Sequence, residues 1–433
     1  MRVVVVGGGA AGATAASRAR RVNPRNEVVL IEEGPYVTHA PCAIPYHISH
    51  SARLYLYTAE QFARERQVRV YTNTRAEVAE GNKLKLRGQH GGVVEWDVLI
   101  VATGARAVTP RIEGVEKRGV YVIRHVAEVH ALKSGLERAR EVAIVGGGYV
   151  GVEMAEALLR IGKKVAMIES GRWLLGRMLD GDMAAAVNQY VRAMGAELIL
   201  GEAVRRILGG EEVTGVETQN AVVKADAVVL STGVRPNVEL AVALGARLGE
   251  TGAVHTDEYL ETAVPGVYAA GDVAEVRHAV TNRPAWLPLA PYANKMGYVA
   301  GTNAGFGEKR LMFPPVAGAS VTKFFEMYVG KVGLNEREAG EAGLKTESAV
   351  VTTRDKAHFM PDAREVHLKA VASGGALIGV QAVGFSPYVA AVIDFAAQHI
   401  GRPLSSIILA EYSYMPFTGP VWHPLITAAR ILD

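Results

Sequence analysis

A single cysteine, Cys42, is all the thiol that the 433 residues contain. No disulfide can close within the chain, which fits a reducing, cytoplasmic setting. No stretch of about 18 apolar residues is free of charge, so no transmembrane helix is expected. An excess of one charge is also missing, with 47 Lys and Arg against 44 Asp and Glu and a formal net charge of +3. That balance argues against a nucleic-acid surface, though it leaves room for a local basic pocket. The histidines show no ligand spacing and there is no second thiol, so no metal site is expected. A secretory leader is not expected either. The opening MRVVVVGGG has only four valines before a glycine loop and no small-residue cleavage pattern. It reads as a first core strand.

What is present is ordinary for a globular protein with a real core: 49% hydrophobic and 21% charged residues. Roughly 100–200 residues per domain suggests two to four domains. Two segments of the chain echo each other. Val3–Gly12 and Val142–Gly151 each give a short apolar strand, then G-x-G-x-x-G, then an Ala-rich helical stretch. Each is followed by a strand ending in acid, at Glu32 and Glu169, 20 residues after Gly12 and 18 after Gly151. That is the spacing of a β-α-β dinucleotide unit. Gly7 and Gly146 permit the tight turn, Gly9 and Gly148 admit pyrophosphate to the backbone, and Gly12 and Gly151 let helix and strand pack. Each helix N-terminus offers amides and a positive dipole to phosphate. The acids accept from ribose hydroxyls. Glu169 would also repel a 2′-phosphate, favouring NADH over NADPH, with Arg172 nearby to soften that choice.

The echo continues in Val98–Gly104 and Ala227–Gly233. The second unit is therefore expected to be inserted into the first, with Gly266–Ala270 returning the chain to it. From about residue 320 the pattern changes to short strand-like runs (350–353, 366–371) and a helical run near 386–399. The expected fold is α/β, with two Rossmann-like domains and a C-terminal α+β domain. The boundaries are 1–115 with 243–319, then 116–242, then 320–433.

Through both glycine loops and Cys42, the chain resembles the pyridine nucleotide–disulfide oxidoreductases. It looks most like their single-cysteine branch of coenzyme A-disulfide reductases, NADH oxidases, NADH peroxidases and persulfide or polysulfide reductases. The resemblance covers nearly the whole chain. It implies FAD on the first unit, NADH (with NADPH as alternative) on the second, and a homodimer built through the third. Thr103-Gly104 and Gly271-Asp272 resemble two further FAD elements, with Asp272 on the ribityl chain. Ala11 and Pro41 would also line the flavin. The helix opened by Pro288-Leu289-Ala290 would point at the flavin pyrimidine ring. Ser231–Asn237, with Gly233, would close the nicotinamide domain. Tyr149 matches the tyrosine that covers the flavin until NADH displaces it. Glu153 matches a glutamate on the nicotinamide amide, or is simply a first-turn acid offsetting the helix dipole.

Cys42 lies in Thr38-His39-Ala40-Pro41-Cys42-Ala43-Ile44-Pro45-Tyr46, similar to the branch motif S-F-x-N-C-A/G-L-P-Y. His39 replaces Phe and Pro41 replaces Asn, so Thr38, His39 and Tyr46 are candidate substrate residues. Pro41 and Pro45 suggest a turn into a helix whose dipole would stabilise the thiolate. Without a second cysteine, the oxidised form must be a mixed disulfide, a persulfide or a sulfenic acid. Peroxidase and oxidase relatives carry a histidine in the first glycine loop. Here the position is Ala10, which favours reduction of an S–S bond. The resemblance thus implies reduction of a disulfide, persulfide or polysulfide, coenzyme A disulfide or polysulfide above all. The alternatives are an NADH oxidase making hydrogen peroxide and a reductase of a small redox protein. Arg18 and Arg21 are candidate coenzyme A contacts, or a solvated helix face. Tyr412 or Tyr414 in the tail would protonate the leaving thiolate at the partner's cysteine, or be a core aromatic. His423 is expected to be structural.

Overall fold

The computed structural model describes residues 1–433. Two five-stranded parallel sheets and one five-stranded antiparallel sheet organise the chain. The first sheet runs in the order Val267–Ala269, Val98–Val101, Arg2–Val6, Glu27–Ile31, Arg69–Tyr71. The second runs Glu197–Leu200, Lys164–Glu169, Glu141–Val145, Ala227–Leu230, Val120–Val122. In each, the strand before the glycine loop is central, and it is covered on both faces. Val3, Val4 and Val5 are fully buried, as are Ala143 and Ile144. A parallel strand buried on both faces needs an unbroken apolar run, which both sequences supply. Strand 105–107 pairs with 234–236 where the chain passes between the two sheets.

The helix Ala10–Val22 lies unusually close to the helix Ala290–Phe306. Gly297, Gly301 and Gly305 recur at the four-residue spacing of one helix face. A methyl group on Gly297 would sit 2.2 Å from the Ala11 carbonyl oxygen, and one on Gly301 2.5 Å from that of Ala15. This glycine stripe fixes both helix N-termini toward the same cleft.

The third sheet has the order Ser320–Phe324, Met327–Gly333, Ala376–Gly384, Glu365–Ser373, Glu347–Arg354. The helices Tyr388–Ala397 and Pro424–Leu432 share its core. The core behind the second sheet continues into this one: Val152 and Met154 pack in the same cluster as Phe324 and Val329, and Ile44 and Ile48 join them. The segment just after Cys42 is thereby pinned where three parts of the molecule meet. Lys369 strengthens the contact between the second and third sheets' layers. It is buried, and bonds Asp182 and Glu336 at 2.8 Å each. No helix is long and apolar enough to cross a membrane.

Candidate active site

A continuous cleft of about 3160 Å³ is lined by both glycine loops, Cys42, Tyr149 and Asp272. The two loops are built alike. Gly7 and Gly146 both adopt φ +108°. A methyl on Gly12 would lie 1.8 Å from the Gly7 carbonyl oxygen, and one on Gly151 2.0 Å from that of Gly146. Glu32 accepts from the amides of Gly8 and Gly34, both at 2.6 Å, and Glu169 accepts from Gly147 and Gly171, also at 2.6 Å. Neither following helix has a side-chain cap or an acid in its first turn. The free amides of those turns are left for an anion. The donor set and the shape therefore fit a dinucleotide diphosphate on each loop.

Around the first loop, Ala11, Pro41, Thr103, Gly104, Gly271 and Ala290 line the cleft as well. Asp272 is paired with Arg124 at 2.6 Å, and its backbone carbonyl accepts from the Trp286 indole at 2.8 Å. Thr103 donates to the Asn237 carbonyl at 2.7 Å, and Asn237 donates back to Thr103 at 2.9 Å. The first T-G motif is thus tied to the end of the segment Ser231–Asn237 that carries the second, with Gly104 and Gly233 at φ +65° and +101°. Arg124 and Trp286 gave no signal in the sequence.

Cys42 sits in the 3₁₀ turn Pro41–Ala43, which runs into the helix Ile44–His50. Its side chain faces the cleft. The expected thiolate stabilisation is not found. Desolvation by the cleft walls, and then the Glu153 carboxylate, push the thiol up, against smaller opposing effects of a backbone hydrogen bond and Arg124. The helix is only seven residues long and starts after Cys42, so its dipole is weak there.

Glu153 is the fifth residue of the helix Tyr149–Arg160, beyond the first turn, so the dipole-offsetting alternative fails. Its carboxylate accepts from Thr322 at 2.8 Å, and burial raises its pKa. Tyr149 shares a 2.5 Å hydrogen bond with Ser320. Sequence reasoning missed both partners. The only trace of them is a hydroxyl at alternate positions of the strand.

Thr38 lines the cleft at φ +55°, a strained setting for a β-branched residue. His39 also lines it. Its ring lies 5.1 Å from that of His125, and Nε2 is 3.6 Å from where a Gly9 methyl would be. Burial, then His125 and Arg124, lower its pKa to about 4. The structure thus gathers Glu32, His39 and His125 with ligand atoms within 4.8 Å of one another, a grouping that sequence spacing did not suggest. Glu32 is already committed to two amides there. Tyr46 does not line the cleft. It lies behind Cys42, its hydroxyl pushed up by burial and by Glu153 and Glu156.

Arg18 and Arg21 open onto the cleft. Arg18 stacks over Tyr298 at 4.2 Å and bonds Thr302 at 2.9 Å. The tail tyrosines do not line the cleft. Tyr412 donates to the Val421 carbonyl and packs on Phe395 and His423. Tyr414 is 44% exposed. His423 is buried and its Nδ1 accepts from the Leu425 amide, capping the last helix.

Fold and site together define a flavoprotein oxidoreductase served by two dinucleotides. Residues 1–297 match the pyridine nucleotide-disulphide oxidoreductase family, and residues 319–410 match that family's dimerisation domain. The chain belongs to this family, and it is an NAD(P)H-dependent flavoprotein disulfide reductase that uses FAD. It is 40% identical to the NAD(P)H coenzyme A polysulfide/persulfide reductase of Pyrococcus horikoshii, over 100% of this chain and 98% of that protein. It is 34% identical to an NADH oxidase of Methanocaldococcus jannaschii, over 99% of this chain and 98% of that protein. The solved NAD-dependent persulfide reductase from A. fulgidus superposes with a TM-score of 0.96 at 32% identity, covering 100% of this chain and 83% of that one.

Proposed function

We propose that the protein takes electrons from NADH and uses them to reduce a polysulfide, persulfide or coenzyme A disulfide through Cys42. The observation that carries this reading is one exposed thiol, without a partner cysteine, in the same cleft as two diphosphate loops. FAD supplies the two-electron relay between nicotinamide and sulfur. The residues do the rest. The Cys42 thiolate attacks one sulfur of the acceptor, forming a Cys42–S–S bond and breaking the acceptor's own S–S bond. The departing thiolate takes a proton. Two electrons then cleave the new bond, restoring the Cys42 thiolate and freeing the second sulfur product, which takes another proton. Per cycle, one S–S bond, two electrons and two protons become two thiols.

Tyr414 suits the first proton, because its hydroxyl is exposed while that of Tyr412 is committed to Val421. Tyr414 does not line this chain's own cleft, which fits delivery from a second copy in a homodimer. Arg18 and Arg21 suit the phosphates of coenzyme A. Glu169 favours NADH. Ala10 weighs against the oxidase reading. A single unbridged cysteine fits the cytoplasm. The test is Cys42→Ser in flavin-loaded enzyme. NADH-dependent reduction of polysulfide and coenzyme A disulfide should fall at least about a hundredfold with flavin retained. Undiminished reduction would overturn the proposal, and anaerobic mass spectrometry of Cys42 would name the group that leaves it.

A further inference from the structure

The helix Tyr149–Arg160 and the strand Ser320–Phe324 meet through a ladder of polar rungs. Tyr149, Glu153 and Glu156 lie at i, i+4 and i+7, one face of a helix. Ser320 and Thr322 lie at i and i+2, one face of a strand. The first rung is Tyr149 to Ser320 at 2.5 Å, and the second is Thr322 donating to Glu153 at 2.8 Å. Lys323 closes the ladder on Glu156 at 2.7 Å. Both residues that the family resemblance assigns to the nicotinamide are therefore held by hydroxyls of the third domain.

The strand does not give easily. Just before Ser320, the amides of Gly318 and Ala319 donate to the Tyr292 hydroxyl at 2.9 and 3.0 Å. Tyr292 is buried in the helix Ala290–Phe306. Ser320 is thus a fixed post. A tyrosine that swings out of the cleft must break its bond to that post rather than carry the strand along.

We infer that Ser320 is the latch of the Tyr149 gate, a positioning residue that sets NADH affinity by holding Tyr149 across the nicotinamide's path. This rests on the reading of Tyr149 as the residue NADH displaces. A ligand that needs the open state pays for the closed one, in proportion to the latch's strength. Because burial pushes the Tyr149 hydroxyl up to about 12, it stays protonated at neutral pH, and the latch does not respond to pH there.

The test is calorimetric binding of a non-reducing tetrahydro analogue of NADH to oxidised, flavin-loaded enzyme. One neutral hydrogen bond corresponds to about a two- to tenfold effect. Ser320→Ala and Tyr149→Phe should each tighten binding by that factor, and the double variant should be no tighter than either single one. Ser320→Thr, which keeps the hydroxyl, should bind like the native enzyme. Tyr149→Ala separates the two readings. If it tightens binding while Ser320→Ala leaves it unchanged or weaker, the gate stands and the latch is overturned. If Tyr149→Ala also changes nothing, the gate reading fails and the latch falls with it.

Discussion

The two dinucleotide units share one backbone plan and differ in how they are closed. In the first, Glu32 is 7% exposed, and His39 stands over Gly9. In the second, Glu169 is only half-buried, and a methyl on Gly148 would have no neighbour within 4 Å. Thr38, His39 and His125 line the cleft beside the first loop, and Tyr149, which we propose as a gate, lines it beside the second. The same β-α-β logic therefore serves two kinetic needs. A cofactor that stays through every cycle is walled in. On the gate reading inferred above, a cofactor that enters and leaves each cycle would meet an open loop and a gate.

The largest test of this contrast is at the close-packed glycines. Gly12→Ala and Gly151→Ala both drive a methyl group against backbone oxygen, at 1.8 and 2.0 Å. Gly12→Ala should yield protein with little flavin and a lower melting temperature. Gly151→Ala should keep its flavin absorbance while NADH affinity falls more than about tenfold. Equal loss of flavin in both would break the contrast. A sharper pair is Glu32→Gln against Glu169→Gln. Each carboxylate takes two amide bonds, and a hydrogen bond to a charged group is worth about 1.5–3 kcal/mol. Glu32→Gln should strip flavin, because its amide nitrogen is trapped against donors in a buried site. Glu169→Gln should leave flavin bound and lower the melting temperature less than Glu32→Gln does, because water can reach the half-buried Glu169 and take up the amide it frees. It should cost about tenfold in NADH affinity and narrow the preference over NADPH, as measured by binding of both nucleotides.

Much of this architecture was legible because it is local. A glycine loop, its strand and its acid fall within about thirty residues, and each position has its own steric reason. Cys42 stood out by being alone. What was not legible depends on contacts between distant segments. Tyr149 and Ser320 are 171 residues apart in sequence, and Arg124 and Asp272 are 148 apart. The thiolate expectation failed for the same reason. Local sequence showed a helix start near Cys42, but not that burial in the cleft, and then the charge of Glu153, would push the thiol up. Tyr412 and Tyr414 looked interchangeable until the fold committed one hydroxyl to Val421.

The smallest test uses acid. Residues 141–235 contain no histidine, whereas the first unit keeps His39 beside its diphosphate loop. Burial lowers the His39 pKa from 6.5 to about 4, helped by His125 and Arg124, while Glu32 faces it from the adjoining strand. A histidine with a depressed folded-state pKa binds its proton more readily when unfolded. Its contribution to stability is complete above pH 6.5 and is lost as the pH falls from there toward about 4. The slope is at most about 1.4 kcal/mol per pH unit. His39→Phe, which restores the residue of the branch motif, removes that proton. In flavin-free protein, urea unfolding at pH 7.5 and 5.0 should show the native chain losing roughly 2 kcal/mol more than the variant. Other buried histidines, such as His423, contribute equally to both proteins and cancel. Identical losses would mean that the imidazole is hydrated and that the first unit is less closed than its geometry indicates. Bound FAD should shrink the difference, because a diphosphate beside Gly9 favours the imidazolium and raises the very pKa that burial lowers.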